Sequence, residues 1–457
     1  MRAVVFMVLT CLAAAALPGA PAAQTAGDAA VELTLEQARA LARQSLSAGN
    51  LAAAAALSDT LLDQNPEDAE MLVVRAILAR SAGDTDSARA AAERAYRISN
   101  DPAVKFDAAV IMANILAREE SYFAAELWVR RADQFSETEQ QSEITRTLFQ
   151  QVRRANPLTV ELRFSIRPSN NVNNGAEELE IEIGGLPFLL DALGQQLSGI
   201  ETSAGVSLRY RLSESRDQRT EFLGEFFFRD VRLSSESSEL VPFARDSDFD
   251  YGVVILGLRR AELIWPDIGP TVISGVAGQS WYGGEALSRW VEFTARQTVV
   301  LDDFRALTFS GIARIDRRQD NPINDSEQYE IGVDYRQAIE NAGSYGLGAS
   351  FRAYESASGT VDRNVFEVTA DRIFGRMGAI EPRMTLTYRR ENYLKFFILP
   401  DGRREDSITL DVAVRFPDFS FYGFIPEATL RARSVGANVD IYDRNEYAFG
   451  VTMVSRF

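Results

Sequence analysis

The sequence predicts a domain of helix–turn–helix repeats followed by a transmembrane antiparallel β-barrel of about fourteen strands. Three observations predict it. Helix-forming residues fall in short blocks between Leu33 and Phe149, with a repeated spacing between them. After Asn156-Pro157 the apolar period changes from helical to two and stays so to the last residue. The alternating segments are joined by connections that are by turns long and short, as a membrane barrel requires and a sandwich does not.

The chain opens with MRAVVFMVLTCLAAAALPGAPAAQ. Arg2 is a short positive n-region, Val4 to Leu17 an apolar segment too short for a comfortable span, and Ala20 and Ala22 an A-x-A cleavage site. Residues 1–22 therefore read as an export signal, which carries the sole cysteine, Cys11.

Residues 33–150 are rich in Ala, Leu, Glu, Gln and Arg, which are strong helix formers. Gly49-Asn50 recurs as Gly83-Asp84, and Ala54 recurs as Ala88, both at an offset of 34 residues. That period, with a small residue at the interhelix turn, is the tetratricopeptide signature of about 34 residues. Ala54 and Ala88 are expected where two helices approach closely. A third unit, around Ala103 to Phe135, is out of register by two or three residues. Such a domain either offers a concave surface to a peptide or serves as a helical spacer.

Residues 157–457 alternate apolar and polar side chains. Val160, Leu162, Phe164 and Ile166 alternate with Glu161, Arg163, Ser165 and Arg167, and Tyr447, Phe449, Val451 and Met453 repeat the pattern near the end. Fourteen such segments run from 159–167 to 445–457. Counted from a periplasmic start, the outer loops come to about 34, 19, 9, 11, 7, 16 and 10 residues, and the periplasmic turns to about 6, 9, 2, 4, 6 and 7. The face opposite the apolar one holds Arg209, Arg229, Asp334, Arg336, Asp371, Arg389, Asp411 and Arg431, among others. Such a lumen either lines a wet conduit or pairs its charges and holds the barrel shut. Trp265, Trp281, Trp290, Tyr388 and Tyr442 fall near segment ends, where interface girdles belong. Phe457 closes the last segment like the C-terminal signal that barrel-assembly machinery reads.

Composition excludes several classes. The 457 residues contain no histidine, so neither a Ser-His-Asp nor a Cys-His nucleophile can be built, and no imidazole-based metal site. No carboxylate pair shows a catalytic geometry, no phosphate loop is present, and neither cofactor nor catalytic residue is expected. Acidic residues outnumber basic ones 65 to 48 for a net charge of −17, which gives no general attraction for nucleic acid. The positive charge is almost all arginine, Lys105 and Lys395 being the lysines.

Two stretches resemble a known family. RRANPLTVELRFSIRPSNNVNNG (Arg153 to Gly175) contains Asn170, Asn171, Asn173 and Asn174 after an opening strand. GFIPEATLRARSVGANVDIYDRNEYAFGVTMVSRF contains Gly423, Pro426, Asn438 and Tyr442 before the last strand. Together with the order of signal, repeats and barrel, they resemble the surface lipoprotein assembly modulator family of Gram-negative outer membranes. Ala437 stands before Asn438 where that family commonly has serine. The resemblance implies a translocator that exports surface lipoproteins or related secreted proteins, with its repeats in the periplasm near substrate. The alternative carried by the same architecture is a passive porin or polysaccharide-export barrel. The partners expected are outer-membrane lipid, a lipoprotein or secreted protein, and barrel-assembly machinery. Physically, the asparagine cluster is suited to Asx turns at a barrel rim, and Gly423 and Pro426 to a bend before a strand.

Overall fold

A computed structural model describes residues 33–177, 180–183, 186–395, 402–419, 421 and 424–455. The export segment, Gly423 and Phe457 lie outside the described residues. The chain divides into two compact units at Asn156 and Pro157.

The first unit is a helical bundle of α1 (Leu35–Ser47), α2 (Leu51–Gln64), α3 (Ala69–Ser81), α4 (Thr85–Ile98), α5 (Pro102–Arg118), α6 (Tyr122–Gln134) and α7 (Glu139–Ala155). Consecutive helices pack as hairpins. Every start but that of α6 is set by a side-chain cap that satisfies an orphan backbone N–H. Thr34 with Gln37 and Thr138 with Gln141 form capping boxes, and Asn50, Asp68, Asp84 and Asp101 each accept from a first-turn amide. The repeated turns are alike in detail. Gly49 and Gly83 have φ of 77° and 82°, a left-handed conformation that a side chain would strain. In each, the following residue's N–H returns to the preceding helix, Asn50 to Ser45 and Asp84 to Ala79. Ala54 and Ala88 are fully buried in the core with Leu57, Leu61, Met71, Val74 and Ile115. Asp68, 2% exposed, also takes Arg39 of α1 at 2.9 Å, tying the first repeat to the second.

The second unit is a closed antiparallel barrel of fourteen strands. Its chain order is β1 (Leu158–Ser169), the small hairpin β2 (Glu180–Ile183) and β3 (Leu186–Leu189), then β4 (Gly199–Glu214), β5 (Gln218–Leu233), β6 (Tyr251–Trp265), β7 (Gly269–Tyr282), β8 (Glu285–Val300) and β9 (Arg305–Arg318). There follow β10 (Ser326–Ile339), β11 (Gly343–Ser356), β12 (Arg363–Phe374), β13 (Glu381–Tyr393), β14 (Arg403–Arg415), β15 (Phe424–Ala437) and β16 (Arg444–Ser455). Every barrel strand pairs with its sequence neighbour, and β1 closes the ring on β16 at Phe164–Met453, Ser165–Thr452, Ile166–Val451 and Ser169–Ala448. Closure removes the free edges that lipid cannot satisfy.

The outward face is an apolar band. Phe164, Ile166, Phe228, Leu258, Phe293, Ile331, Leu347, Leu386 and Phe449 lie on it at alternate positions, and Ile331 is 69% exposed. Exposed apolar side chains on every strand are intelligible only against lipid. The fourteen predicted segments correspond one to one with the barrel strands. The connections differ from the estimate. The strands of β7 and β8 run further than expected and meet at Gly283 and Gly284, where a longer outer loop was expected. Trp290 is not in an interface girdle either: it points inward, is 7% exposed, and has the Arg314 guanidinium 4.3 Å from its ring centroid.

Candidate functional site: the lumen and its outer rim

Alternation sends most mid-strand charged residues inward, where they pair along the wall. Arg209 meets Glu161 at 2.6 Å, Arg259 meets Glu221 at 2.7 Å, and Arg431 meets Asp411 at 2.7 Å. Glu201 accepts from both Arg167 and Arg229. Arg336 of β10 reaches Asp371 of β12 at 3.0 Å by passing over β11 at Gly346, where any Cβ would collide with the Asp371 carboxylate. Among the described residues, these inner-face pairs join neighbouring strands or cross one intervening strand. Charge is therefore neutralised laterally along the wall. A cavity of about 360 Å³ remains inside, lined by Arg167, Glu201, Arg389, Asp411, Arg431 and the loop residue Asn171, among others.

At the outer rim, arginines and tyrosines alternate across four consecutive strands, β11 to β14, and the loop before β16. Arg363 lies 3.9 Å from the Tyr354 ring centroid and 5.4 Å from that of Tyr393. Arg403 lies 3.5 Å from Tyr393 and 3.8 Å from Tyr442. Each guanidinium lies within cation–π range of two tyrosine rings, so the contacts link these rim segments to one another.

The sequence-selected asparagines fall into two groups. Asn170 and Asn438 bind across strand seams. Asn438 donates its backbone N–H to the Arg404 carbonyl at 3.1 Å, accepts the Arg404 N–H on Oδ1 at 2.7 Å, and donates Nδ2 to the Gly402 carbonyl at 3.0 Å. Asn171 and Asn173 act within the loop between β1 and β4. The Asn171 amide closes on Gly175 through both its atoms, and Asn173 donates to the Leu193 and Gln195 carbonyls while accepting from the Leu197 N–H. Asn174 adopts φ of 56° and is exposed at the cavity edge. Val172 and Leu197 bury against Val231, Val241 and Phe249, anchoring this loop to the one between β5 and β6. Pro426 lies on β15 opposite Met453, where its carbonyl accepts from the Phe416 N–H at 3.0 Å. Tyr442 belongs to the stacked rim. The structure therefore brings Asn171 and Asn174 to the lumen and places Asn438 and Tyr442 at the rim. The lumen pairs and the arginine–tyrosine stack were not singled out as sites from sequence; the inward parity of their arginines was the signal available.

The fold and this inner surface define an outer-membrane β-barrel with an N-terminal helical domain. The connection from that domain enters β1 on the short-turn rim, which is the periplasmic one. No family profile matches the sequence, and no curated protein matches it. Solved structures similar to it include OccAB3 of Acinetobacter baumannii (8% identity, TM-score 0.34, covering 65% of this chain and 98% of that one). A BenF-like porin of Pseudomonas fluorescens aligns with 8% identity and a TM-score of 0.34 over 65% of this chain and 98% of its own. A bacterial polysaccharide outer membrane secretin aligns with 10% identity and a TM-score of 0.33 over the same shares.

Proposed function

We propose that the barrel is a conduit for hydrophilic cargo across the outer membrane, of the porin or polysaccharide-export kind. The observation that carries this reading is the lumen wall. Its arginines and carboxylates neutralise each other laterally, and a polar cavity of about 360 Å³ remains between the walls. Transport through such a lumen needs no catalytic group, and none is assigned. Liposome swelling tests it: vesicles containing the protein should swell in isotonic neutral sugar, and swelling no faster than that of empty vesicles would refute an open conduit.

The second reading is export of surface lipoproteins or related secreted proteins, as the family resemblance implies. The helical domain favours it. A groove of about 570 Å³ between α5 and α7 combines Val110, Ile144 and Leu148 with Asn114, Glu139 and Glu143, a surface suited to an extended chain. Cargo chains would be held there in the periplasm, and barrel-assembly machinery would install the barrel through its C-terminal strand. Protease accessibility of candidate lipoproteins on intact cells distinguishes the readings. Under this one, deleting residues 33–150 abolishes accessibility while the barrel stays heat-modifiable; unchanged accessibility would remove the helical domain from the export step.

A further inference from the structure

Arg289 of β8 and Arg317 of β9 are direct cross-strand partners near the outer ends of their strands. Both side chains point outward, away from the lumen. Their neighbours in sequence alternate accordingly: Trp290 and Asp316 are buried inside, while Val291 and Ile315, the next outward pair below, are exposed to lipid. Like charges placed directly opposite on one face of a sheet repel each other. The surrounding groups relieve that repulsion on the Arg317 side only. On β7, Gln279 accepts from Arg289 Nε at 3.1 Å, a neutral partner. Arg317 is compensated in part: Asp325 and Glu327 stand 3.7 and 3.9 Å from it, within ion-pair distance, and its Nη1 donates to the Asp316 carbonyl at 3.4 Å.

The position fixes what could lie between the two guanidiniums. Alternate residues on a strand are about 7 Å apart, so this pair sits one step above the apolar band, at headgroup height in the outer leaflet. Two forked donors at that level match the oxygens of a phosphate, which each guanidinium can engage with two parallel N–H donors. We propose that Arg289 and Arg317 form a binding site for the phosphate of an anionic glycolipid in the outer leaflet, with its acyl chains against Val291, Phe293 and Ile315. The site is independent of what passes through the lumen.

Full-length protein in non-ionic detergent, mixed with diphosphorylated lipid A or with the same lipid stripped of phosphate, gives the test, with retained lipid read by native mass spectrometry. The wild type should retain the phosphorylated lipid selectively. The Arg289→Gln/Arg317→Gln variant should bind it at least about tenfold more weakly, the loss of charge-assisted hydrogen bonds to one phosphate. Inorganic phosphate at millimolar concentration should fail to displace it; displacement would reassign the site to a free anion. Equal retention of both lipids by the wild type overturns the proposal without reference to any variant. So does unchanged affinity in a double variant that remains heat-modifiable.

Discussion

Asn170 and Asn438 make the same three hydrogen bonds on two different seams of the barrel. Asn170 donates its N–H to the Tyr447 carbonyl, accepts the Tyr447 N–H on Oδ1 at 2.8 Å, and donates Nδ2 to the Asn445 carbonyl at 2.9 Å. Asn438 repeats this with Arg404 and Gly402. In both, the side-chain amide takes the place of one further residue of ladder, so the seam continues beyond the point where the strand turns away. An aspartate in either position keeps the acceptor but sets a carboxylate against a carbonyl.

Asn438→Asp is therefore expected to be worse than Asn438→Ala. Alanine loses a net one or two hydrogen bonds, about 1–3 kcal/mol, and aspartate adds repulsion. The temperature at which the barrel loses its folded mobility on gels should fall in the order wild type, alanine, aspartate. An aspartate variant as stable as wild type would show that Nδ2 contributes nothing.

The closing seam has its own test. Parity along β1 sends the N–H of even-numbered residues toward β16, as Asn170 does, so Pro168 leaves one rung without a donor there. Ser165 and Thr452 face each other inside the seam as a non-hydrogen-bonded pair, the closer kind, which suits a disulfide. Ser165→Cys/Thr452→Cys should oxidise and shift mobility, as should Ser207→Cys/Glu225→Cys on the β4–β5 seam. Cross-linking only at the second pair would mean that β1 and β16 do not meet.

In the helical unit, Ala88 has no exposed surface and faces a full core. Ala88→Leu should destabilise that unit by about 1–3 kcal/mol through overpacking. Circular dichroism at the helix minimum should show an earlier transition, while heat-modifiability of the barrel is unchanged. Loss of both together would contradict two separately folding units.

Asp84 makes the same unit pH-sensitive. Hydrogen bonds from the Ser87 hydroxyl and backbone amide hold its carboxyl below the usual range. A depressed carboxyl stabilises the fold fully above the unfolded value of about 3.9, and this is lost as pH falls through the lower folded value. Helix melting followed from neutral to acid pH should therefore weaken less in Asp84→Asn than in wild type. Identical acid profiles would remove Asp84 from the cap.

Much of this fold could be read from the sequence because two-residue alternation carries its own geometry. Once Phe164 and Ile166 face lipid, Arg163 and Arg167 must face the lumen, and the same parity orients Arg431 or Asp371 before any strand is paired. The repeat turns were legible for a similar reason, since Gly49 and Gly83 answer a backbone requirement. What alternation cannot supply is register. Above the membrane a strand no longer needs an apolar face, so β7 and β8 continue through Ser280 and Ser288 where the pattern fades, and an outer loop was expected in their place. Register also decides that Asn170 meets Tyr447 and that Arg289 meets Arg317. Neither relationship can be inferred from spacing within one segment.

The most direct measurement of an aqueous lumen uses two adjacent residues of β13. Thr387 lines the inner cavity, and Leu386 is exposed on the lipid face. Cys11 is the sole cysteine of the sequence, so a single cysteine introduced into a Cys11→Ser background is a clean reporter. Each variant, Thr387→Cys or Leu386→Cys, is placed in a planar bilayer and treated with a charged, membrane-impermeant thiol reagent while single-channel current is recorded. The account predicts a steady conductance that drops on modification of Thr387→Cys and does not change for Leu386→Cys. A bilayer that never conducts, or a current insensitive to modification at position 387, would contradict a wet conduit through this barrel.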